Sequence, residues 1–314
     1  MTYSPQTPAA VVLIRPHHFT PNPQTANDNG FQSIIDGLSP QETAKRAYDE
    51  VTHVAETLSQ HGVRTHLFDC QDKNKPDAVF PNNWFSTHAG GYIALYPMYA
   101  ENRRGERRYD IIEFLKKHYR VQEVIDYSGL EQDNLFLEGT GAMVLDHIER
   151  VAYAVNSHRT DAIILERFCT HFNFEPMAFD AQDHQGQPIY HTNVLMCIAN
   201  DYVLIGLDMI TCANRKAEII DRFEQSNRQV IPLSTAQISQ FCGNAIELQG
   251  KHNKILALSQ TAFNALTSQQ KQQIEKSSEL VPLDVNTIEQ AGGSVRCMLA
   301  GIHLSPRPGA TFTI

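Results

Sequence analysis

Five residues with chemically useful side chains recur at almost equal spacing along the chain. Asn83, Glu138, His191, Asn244 and Cys297 follow one another at intervals of 53 to 55 residues. A thiolate is a strong nucleophile, an imidazole can protonate a leaving group and then activate water, and a carboxylate can hold a polarised C–N centre. If the intervening units are related by rotation, these side chains meet in one pocket. The spacing therefore predicts a cysteine-dependent active site flanked by two carboxamides.

Each of these residues also has a simpler interpretation. A lone cysteine is usually a small hydrophobic side chain in the core, and one of 14 histidines falling on a chosen spacing is not surprising by itself. The joint occurrence of sulfur, imidazole and carboxylate at one spacing favours an active site over three unrelated structural roles. A neighbouring cation, either Arg296 or a protonated His191, would favour the thiolate. The cysteines that we assign to packing are Cys70, Cys169, Cys197, Cys212 and Cys242.

The elements that must position these residues recur as well. Four segments, 84–98, 142–155, 194–208 and 245–259, each contain two apolar runs around a turn, which is typical of a β-hairpin. Each hairpin is followed by a stretch with helical periodicity. A fifth unit is predicted from the chain ends, where VRCMLAGIHL would pair with VVLIR near the N-terminus. A period of about 50 residues predicts a radial or stacked array that forms one domain.

Bulk composition narrows the class of protein. The chain has 314 residues, 42% of them hydrophobic, with a formal net charge of −9 and no basic stripe, which argues against a nucleic-acid partner. No signal peptide or membrane-spanning run is predicted. The six cysteines form no CxxC pair, which is typical of free thiols in a reducing compartment rather than of disulfides or a zinc site. We expect a cytoplasmic protein with no membrane partner.

Five short motifs, taken in order, resemble those of the guanidino-group-modifying superfamily, which includes amidinotransferases, dimethylargininases and arginine deiminases. They are KPDAVFPNNWF (75–85), LEGTG (137–141), NSHRTD (156–161), YHTNVL (190–195) and GGSVRCM (292–298). The phrases FPNNW and HTNV are together most similar to the citrulline-utilisation hydrolase branch. The resemblance covers nearly the whole chain. It implies an α/β fold of the pentein type, an α/β-propeller of five ββαβ-type units around a pseudo-fivefold axis, as a single domain over residues 1–314.

The resemblance also implies a role for each matching residue. Cys297 resembles the covalent nucleophile, His191 the general acid and base, and Glu138 the carboxylate that binds guanidino or ureido nitrogens. Arg103 and Arg159 match arginines that bind the α-carboxylate of the substrate. No metal or organic cofactor is implied. The residues expected to bind substrate are Asp77, Asn82, Asn83, Arg103, Arg159, Asn193 and Asn244.

Two departures from the superfamily pattern bear on the substrate. Asn82 and Asn83 stand where relatives that bind a charged guanidinium carry Glu-Asp, and Asn193 stands where deiminases carry aspartate. A buried guanidinium without nearby carboxylates loses several kcal/mol of pairing. A carboxamide can donate to an oxygen as well as accept, which suits the neutral ureido group of a citrulline-like amino acid. Glu138 and Asp77 remain, so a cationic substrate stays open.

We therefore expect hydrolysis of a non-peptide C–N bond in a ureido- or guanidino-bearing amino acid, foremost a citrulline-like one, through a covalent thiol intermediate. The nearer alternative is an amidinotransferase or a dimethylarginine- or arginine-type amidinohydrolase, since transfer and hydrolysis share that intermediate. A non-catalytic binding protein on this fold is less favoured because the three catalytic residues are all present. A dinucleotide enzyme is disfavoured because Val144 stands where the glycine fingerprint needs Gly or Ala. The expected partner is a small amino acid; a homodimer and the roles of Ser157 and Thr192 stay open.

Overall fold

The computed structural model describes residues 5–26, 29–33 and 37–310, which form fifteen strands and twelve α-helices. The strands are β1 Ala10–Pro16, β2 Arg64–Cys70, β3 Phe85–His88, β4 Tyr92–Leu95, β5 Glu123–Asp126, β6 Met143–Asp146, β7 Val151–Val155, β8 Glu175–Phe179, β9 Met196–Ile198, β10 Tyr202–Ile205, β11 Gln229–Pro232, β12 Ile246–Gln249, β13 Lys254–Ser259, β14 Ser278–Leu283 and β15 Ala300–Gly301. The helices are α1 Pro40–Gln60, α2 Glu101–Arg104, α3 Tyr109–His118, α4 Gly139–Ala142, α5 Ala162–Phe172, α6 Thr192–Leu195, α7 Ala213–Gln225, α8 Thr235–Ser239, α9 Gln260–Ala265, α10 Ser268–Ile274, α11 Asn286–Glu289 and α12 Val295–Met298. Short 3-10 helices are Pro81–Asn83, Ser128–Asp133 and Leu207–Met209.

The strands form five three-stranded sheets that share one connectivity. In four of them an antiparallel hairpin is followed by a helical crossover to a third strand, which pairs in parallel with the second strand of the hairpin. Their orders are β3-β4-β5, β6-β7-β8, β9-β10-β11 and β12-β13-β14. The fifth sheet, β15-β1-β2, repeats the pattern with both ends of the chain, since Val11 lies opposite Gly301 and Val12 opposite Ala300. The predicted repeat and its closure by the terminal strands are confirmed.

Local sequence signals explain where the crossover helices begin. The Ser39 side chain accepts from the Glu42 backbone N–H, and the Glu42 carboxylate accepts from the Ser39 N–H, so a capping box starts α1. Asp161 caps α5 by accepting from the Ile163 N–H at 2.8 Å. Apolar residues at helical spacing then turn one face of α1 toward the core. That face contains Ala47, Val51, Val54, Ala55 and Leu58.

Two predicted elements differ from the structure. The helical stretch after the fourth hairpin divides into α9 and α10, because Thr267 starts the second helix with its own capping box to Gln270. The last predicted strand begins instead with a helical turn, α12, and only Ala300–Gly301 pairs with β1. This helical turn carries Cys297.

The first strands of all five sheets line one internal cavity of about 50 Å³, the central cavity. One wall residue from each of these strands is, in chain order, Ser86, Leu145, Cys197, Ile246 and Gly301. Four clusters of buried apolar side chains fill the space between sheets and helices. Within the described ranges, no helix is long and apolar enough to cross a membrane.

Candidate active site

The five periodic residues lie in the turns that lead into the five first strands. Asn83 ends the 3-10 helix before β3, Glu138 and His191 are the N-caps of α4 and α6, Asn244 precedes β12, and Cys297 lies in α12. All five residues are at most 3% exposed. The turns contact one another, since α4 touches α6 and the 3-10 helix, and α12 touches the same 3-10 helix. Equal spacing in the sequence thus becomes proximity in the fold.

Glycines allow these turns to approach so closely. A β-carbon on Gly141 would lie 2.9 Å from the His191 ring, and one on Gly293 would lie 2.8 Å from the Phe80 ring. Gly139 adopts a φ of +48°, in the left-handed region that favours glycine. The glycines of LEGTG and GGSVRCM are therefore packing requirements of the site.

The Cys297 sulfur lies beside two carboxamides. The Nδ2 groups of Asn193 and Asn244 donate to Sγ at 3.3 and 3.2 Å. Asn244 is itself held, because its Oδ1 accepts from the Arg296 backbone N–H at 3.1 Å and its Nδ2 also donates to the Asn193 carbonyl at 2.9 Å. Two N–H donors stabilise a sulfur that carries negative charge. Asn244, which spacing alone had marked, is a direct neighbour of the predicted nucleophile.

His191 and Glu138 form the second part of the site. His191 Nε2 lies 2.8 Å from Glu138 Oε2, and Glu138 Oε1 accepts from the Tyr99 backbone N–H at 3.0 Å. Burial favours a raised pKa for Glu138, but Arg159, His191 and Arg103 together hold that pKa well below its usual range. Burial lowers the pKa of His191 to about 4, against the opposing effect of Glu138. The resting imidazole is therefore uncharged at neutral pH and is not a cation for the thiolate.

Two buried arginines converge on Glu138. Arg159 Nη1 and Arg103 Nη1 lie 3.5 and 3.7 Å from Glu138 Oε2. Arg103 donates from Nε and Nη2 to the Glu106 carboxylate, and from Nη1 to Asn83 Oδ1 at 3.1 Å. Glu106 lies outside every recognised motif, and its only signal in the sequence is a place in the charged run NRRGERR. The site thus holds a carboxylate that its motifs do not contain.

Several polar atoms of the predicted substrate residues are buried without a hydrogen-bond partner. They are Asp77 Oδ1, both polar side-chain atoms of Asn82, Asn83 Nδ2 and Asn193 Oδ1. Asp77 is anchored through its other oxygen, which accepts from Asn22 Nδ2 at 2.7 Å. Each buried unpaired polar group costs about 1–3 kcal/mol, and most such groups in native proteins have partners. Their concentration here indicates a polar ligand that supplies both donors and acceptors.

Two residues whose roles the sequence left open serve the backbone around His191. Ser157 Oγ donates to the Tyr190 carbonyl at 2.8 Å. Thr192 Oγ1 donates to the Ala142 carbonyl at 2.6 Å and accepts from the Val155 N–H at 2.7 Å. These bonds hold the turn that carries the imidazole. In the part of the chain that the structure describes, no group of three or more His, Cys, Asp or Glu side chains is placed to hold a metal ion.

Several solved structures share this fold. The N-terminal domain of ArgZ, an arginine dihydrolase from the ornithine–ammonia cycle in cyanobacteria, aligns as a substrate-bound cysteine variant with a TM-score of 0.72 at 18% identity, covering 93% of this chain and 97% of that one. AgrE with ornithine and NAD+ gives a TM-score of 0.74 at 18% identity, covering 96% of this chain and 40% of AgrE. A histidine variant of dimethylarginine dimethylaminohydrolase, as an adduct with S-methyl-L-thiocitrulline, gives 0.61 at 15% identity, covering 93% and 99%. The fold is that of the pentein, guanidino-modifying superfamily.

The family follows from the sequence. Residues 15–304 match the family described as N,N dimethylarginine dimethylhydrolase, eukaryotic, and the chain belongs to that family. It is a hydrolase of carbon–nitrogen bonds other than peptide bonds, as the motifs predicted. A search of curated protein sequences gives no match. The chain spans about 40% of the length of AgrE.

Proposed function

We propose that the five sheets surround a pseudo-fivefold axis, as an α/β-propeller, in a single domain over residues 1–314. The central cavity supports this arrangement, because the first strand of every sheet contributes to its wall. The mixed sheet β15-β1-β2 supports it too, because it joins the two ends of the chain. We also propose a cytoplasmic location, since all six cysteines are unpaired.

We propose that the chain hydrolyses the guanidino group of an arginine-type amino acid. Cys297 transfers its proton to His191, and the sulfur attacks the guanidino carbon to form an S–C bond. One C–N bond breaks as His191 passes that proton to the departing nitrogen, which leaves as ammonia or an amine. Water then adds to the carbon while His191 removes one of its protons. The S–C bond breaks, His191 returns that proton to the sulfur, and the ureido product leaves. Glu138 orients the imidazole and holds the substrate nitrogens.

The net charge of the buried groups in the site favours a substrate with a positively charged guanidinium. Burial raises the pKa of Glu106 to about 7 even with the hydrogen bonds that Arg103 donates, so a cation bound nearby would favour the carboxylate form of Glu106. With His191 neutral and Glu106 ionised, the buried carboxylates exceed the arginines by one negative charge, which a protonated guanidinium would neutralise. A neutral ureido group would leave it uncompensated, at a cost of about 3 kcal/mol or more. The groups in this balance are Asp77, Glu106, Glu138, Arg103 and Arg159.

We assign the substrate contacts of these residues from the hydrogen-bond partners that each one already has in the structure. Asp77 Oδ1 and Asn193 Oδ1, both unpaired acceptors, are suited to guanidinium N–H groups. The donors of Arg103 already serve Glu106 and Asn83, so we assign Arg103 to positioning the carboxylates. We assign the α-carboxylate of the substrate to Arg159, as the motif resemblance implies, because the fork of N–H donors on an arginine suits a carboxylate.

A citrulline-like substrate is the second candidate, and one observation favours it. Asn83 Oδ1 accepts from Arg103, which leaves Asn83 Nδ2 as a buried donor without a partner. A ureido oxygen can accept from that donor, whereas a guanidinium carries no acceptor. The charge balance and this donor therefore favour different substrates, which kinetics can separate.

A substrate panel tests the proposal on the purified chain. Arginine, N-methylated arginines and citrulline would be supplied in turn, with ammonia, amine and product amino acid all measured. We expect kcat/KM for the best guanidino substrate to exceed that for citrulline by about 100-fold or more. Preferred turnover of citrulline would support the second candidate, and a folded chain that turns over none of them would exclude both.

The same panel separates related reactions. One ammonia per arginine indicates a single hydrolysis, and two indicate a dihydrolase reaction of the kind named for ArgZ. Transfer of the amidino group to an added amine would indicate an amidinotransferase. Cys297→Ala should abolish turnover, whereas Cys242→Ala, at a buried cysteine that donates to the Ala262 carbonyl, should leave the chemistry intact.

A further inference from the structure

The central cavity adjoins the proposed catalytic residues, and nothing in their chemistry uses it. Its wall includes Arg296, directly before Cys297 in the chain, and Ala245, directly after Asn244. Its volume is about 50 Å³. A single water needs about 10–15 Å³ on this measure, so the cavity can hold a few waters or a monatomic ion. An amino acid does not fit, so this cavity is separate from the substrate site.

Arg296 brings a guanidinium to this cavity without a carboxylate beside it. Its Nη1 donates to the Leu299 carbonyl at 3.1 Å. Among the described residues, it forms no ion pair with Asp or Glu. Its ionisable neighbours include the thiols of Cys297, next to it in the chain, and of Cys197, on the same cavity wall. An uncompensated buried charge is costly. The guanidinium therefore lacks a counter-ion unless Cys297 is ionised.

The other ionisable groups on the wall do not supply that counter-ion. Burial lowers the pKa of His303 to about 4, holds the pKa values of His88 and His147 well below their usual range, and raises the pKa of Cys197 to about 12. These four groups are uncharged at neutral pH. Glu247 also borders the cavity, but it forms no ion pair with Arg296, and its oxygens instead accept from a serine hydroxyl and a backbone N–H. Arg296 thus provides an accessible positive charge on a wall of otherwise neutral or engaged groups.

We propose that the central cavity binds a small monovalent anion of the halide type on Arg296, and that this anion competes with the Cys297 thiolate for the same positive charge. When the cavity holds only water, Arg296 favours the ionised sulfur. A bound anion cancels that effect, so a smaller fraction of the sulfur is ionised at a given pH. The cavity is not fully enclosed, and half-buried Gly301 lies on its wall. The regulatory part rests on the proposed function, in which Cys297 is the nucleophile.

Bromide binding tests the site without any turnover. In crystals of the full chain soaked in bromide, we expect an anomalous difference peak within about 3.5 Å of the Arg296 guanidinium nitrogens. A cavity that contains only water at molar bromide would overturn the proposal. Because this measurement needs no substrate, it keeps its meaning even if the proposed reaction is wrong.

Alkylation of Cys297 by iodoacetamide tests the competition. The pH profile would be measured in gluconate and in chloride at one ionic strength, with the alkylated peptide identified by mass spectrometry. We expect chloride to move the midpoint upward saturably, by about one pH unit. In Arg296→Gln the midpoint should be high in both salts, and Arg307→Gln, at an exposed arginine that donates to the Lys116 carbonyl, should respond like the wild type.

Each result of this comparison decides the proposal. A wild-type profile that chloride does not change, or a chloride effect that survives in Arg296→Gln, would overturn it. If Arg296→Gln fails to fold, the wild-type chloride titration and the bromide peak still decide between an anion site and a cavity filled with water alone. If the wild type shows the chloride effect but turns over none of the panel substrates, the proposed function is wrong and the anion site is retained.

Discussion

The two carboxamides on the Cys297 sulfur lead to a quantitative prediction. Asn244 Nδ2 lies 3.2 Å from Sγ, and Asn193 Nδ2 lies 3.3 Å from it. A hydrogen bond to a charged group contributes about 1.5–3 kcal/mol, and we take about 1.5 kcal/mol because sulfur is a weak acceptor. That free energy corresponds to about a factor of ten. Asn244→Ala should therefore raise the midpoint of thiolate formation by about one pH unit.

Alkylation by iodoacetamide and steady-state kinetics measure the effect together. At neutral pH, kcat/KM for the best guanidino substrate should fall about tenfold in Asn244→Ala. Asn244 also holds the backbone of Arg296 and Asn193, and loss of that support alone would slow alkylation at every pH. Loss of the donor to sulfur should instead be overcome above the new midpoint, where the sulfur ionises without help. Recovery at high pH separates the two effects.

Two further variants complete the experiment. Asn244→Asp places a carboxylate beside the sulfur and should raise the midpoint more than alanine does. Asn264→Ala changes an exposed asparagine that accepts from Gln260, and it should leave the profile unchanged. If Asn244→Ala and Asn193→Ala both leave the midpoint within about 0.2 pH units of the wild type, the two carboxamides do not stabilise the Cys297 thiolate.

Three other changes probe packing and charge elsewhere. Gly141→Ala should lower kcat/KM by about 100-fold or more with the fold retained, because its β-carbon would lie 2.9 Å from the His191 ring. Steady-state kinetics and a thermal melting curve measure the two effects, and an unchanged kcat/KM would contradict the prediction. Asp146→Ala should lower the free energy of unfolding by about 3–5 kcal/mol in urea, because buried Arg228 loses partners at 2.7 and 2.9 Å. Burial lowers the pKa of His66 from 6.5 to about 4, so the unfolded chain takes up the proton first as pH falls. As the pH falls from 6.5 to 4, the free energy of unfolding of the wild type should therefore fall by about 3 kcal/mol more than that of His66→Phe. Urea denaturation at each pH measures this, and an equal fall in both proteins would contradict it.

Periodicity predicted the position of the site because each unit has the same local construction. In each unit, one of the five periodic residues precedes the first strand of the sheet, and the distance along the chain from one such residue to the next barely changes. Asn244 belongs to no chemical motif, yet its position in the period predicted its place beside Cys297. The break between α9 and α10 could also have been recognised, since Thr267 and Gln270 form a capping box visible in the sequence.

Other features depend on contacts that spacing does not encode. Asn22 and Glu106 reach the site from segments between the predicted elements, so their partners became clear only from the fold. The turn that carries Cys297 was predicted as part of a strand because its residues are mostly apolar. A short buried helical turn and a short buried strand have similar hydrophobic patterns, and periodicity does not separate them.

Glu106 provides a test of the two candidate substrates. Counting carboxylates within the motifs alone favours a neutral ureido group, because Asn82 and Asn83 replace acidic residues. Glu106 lies outside those motifs and balances Arg103 in a bidentate pair, so that Asp77 and Glu138 exceed the remaining arginine, Arg159, by one negative charge. Glu106→Gln should therefore lower the ratio of kcat/KM for arginine to that for citrulline by about tenfold or more. Glu113→Gln, at an exposed carboxylate paired with Lys116, should not change this ratio. An unchanged ratio in a folded Glu106→Gln variant would show that the net charge of the buried groups does not select the substrate.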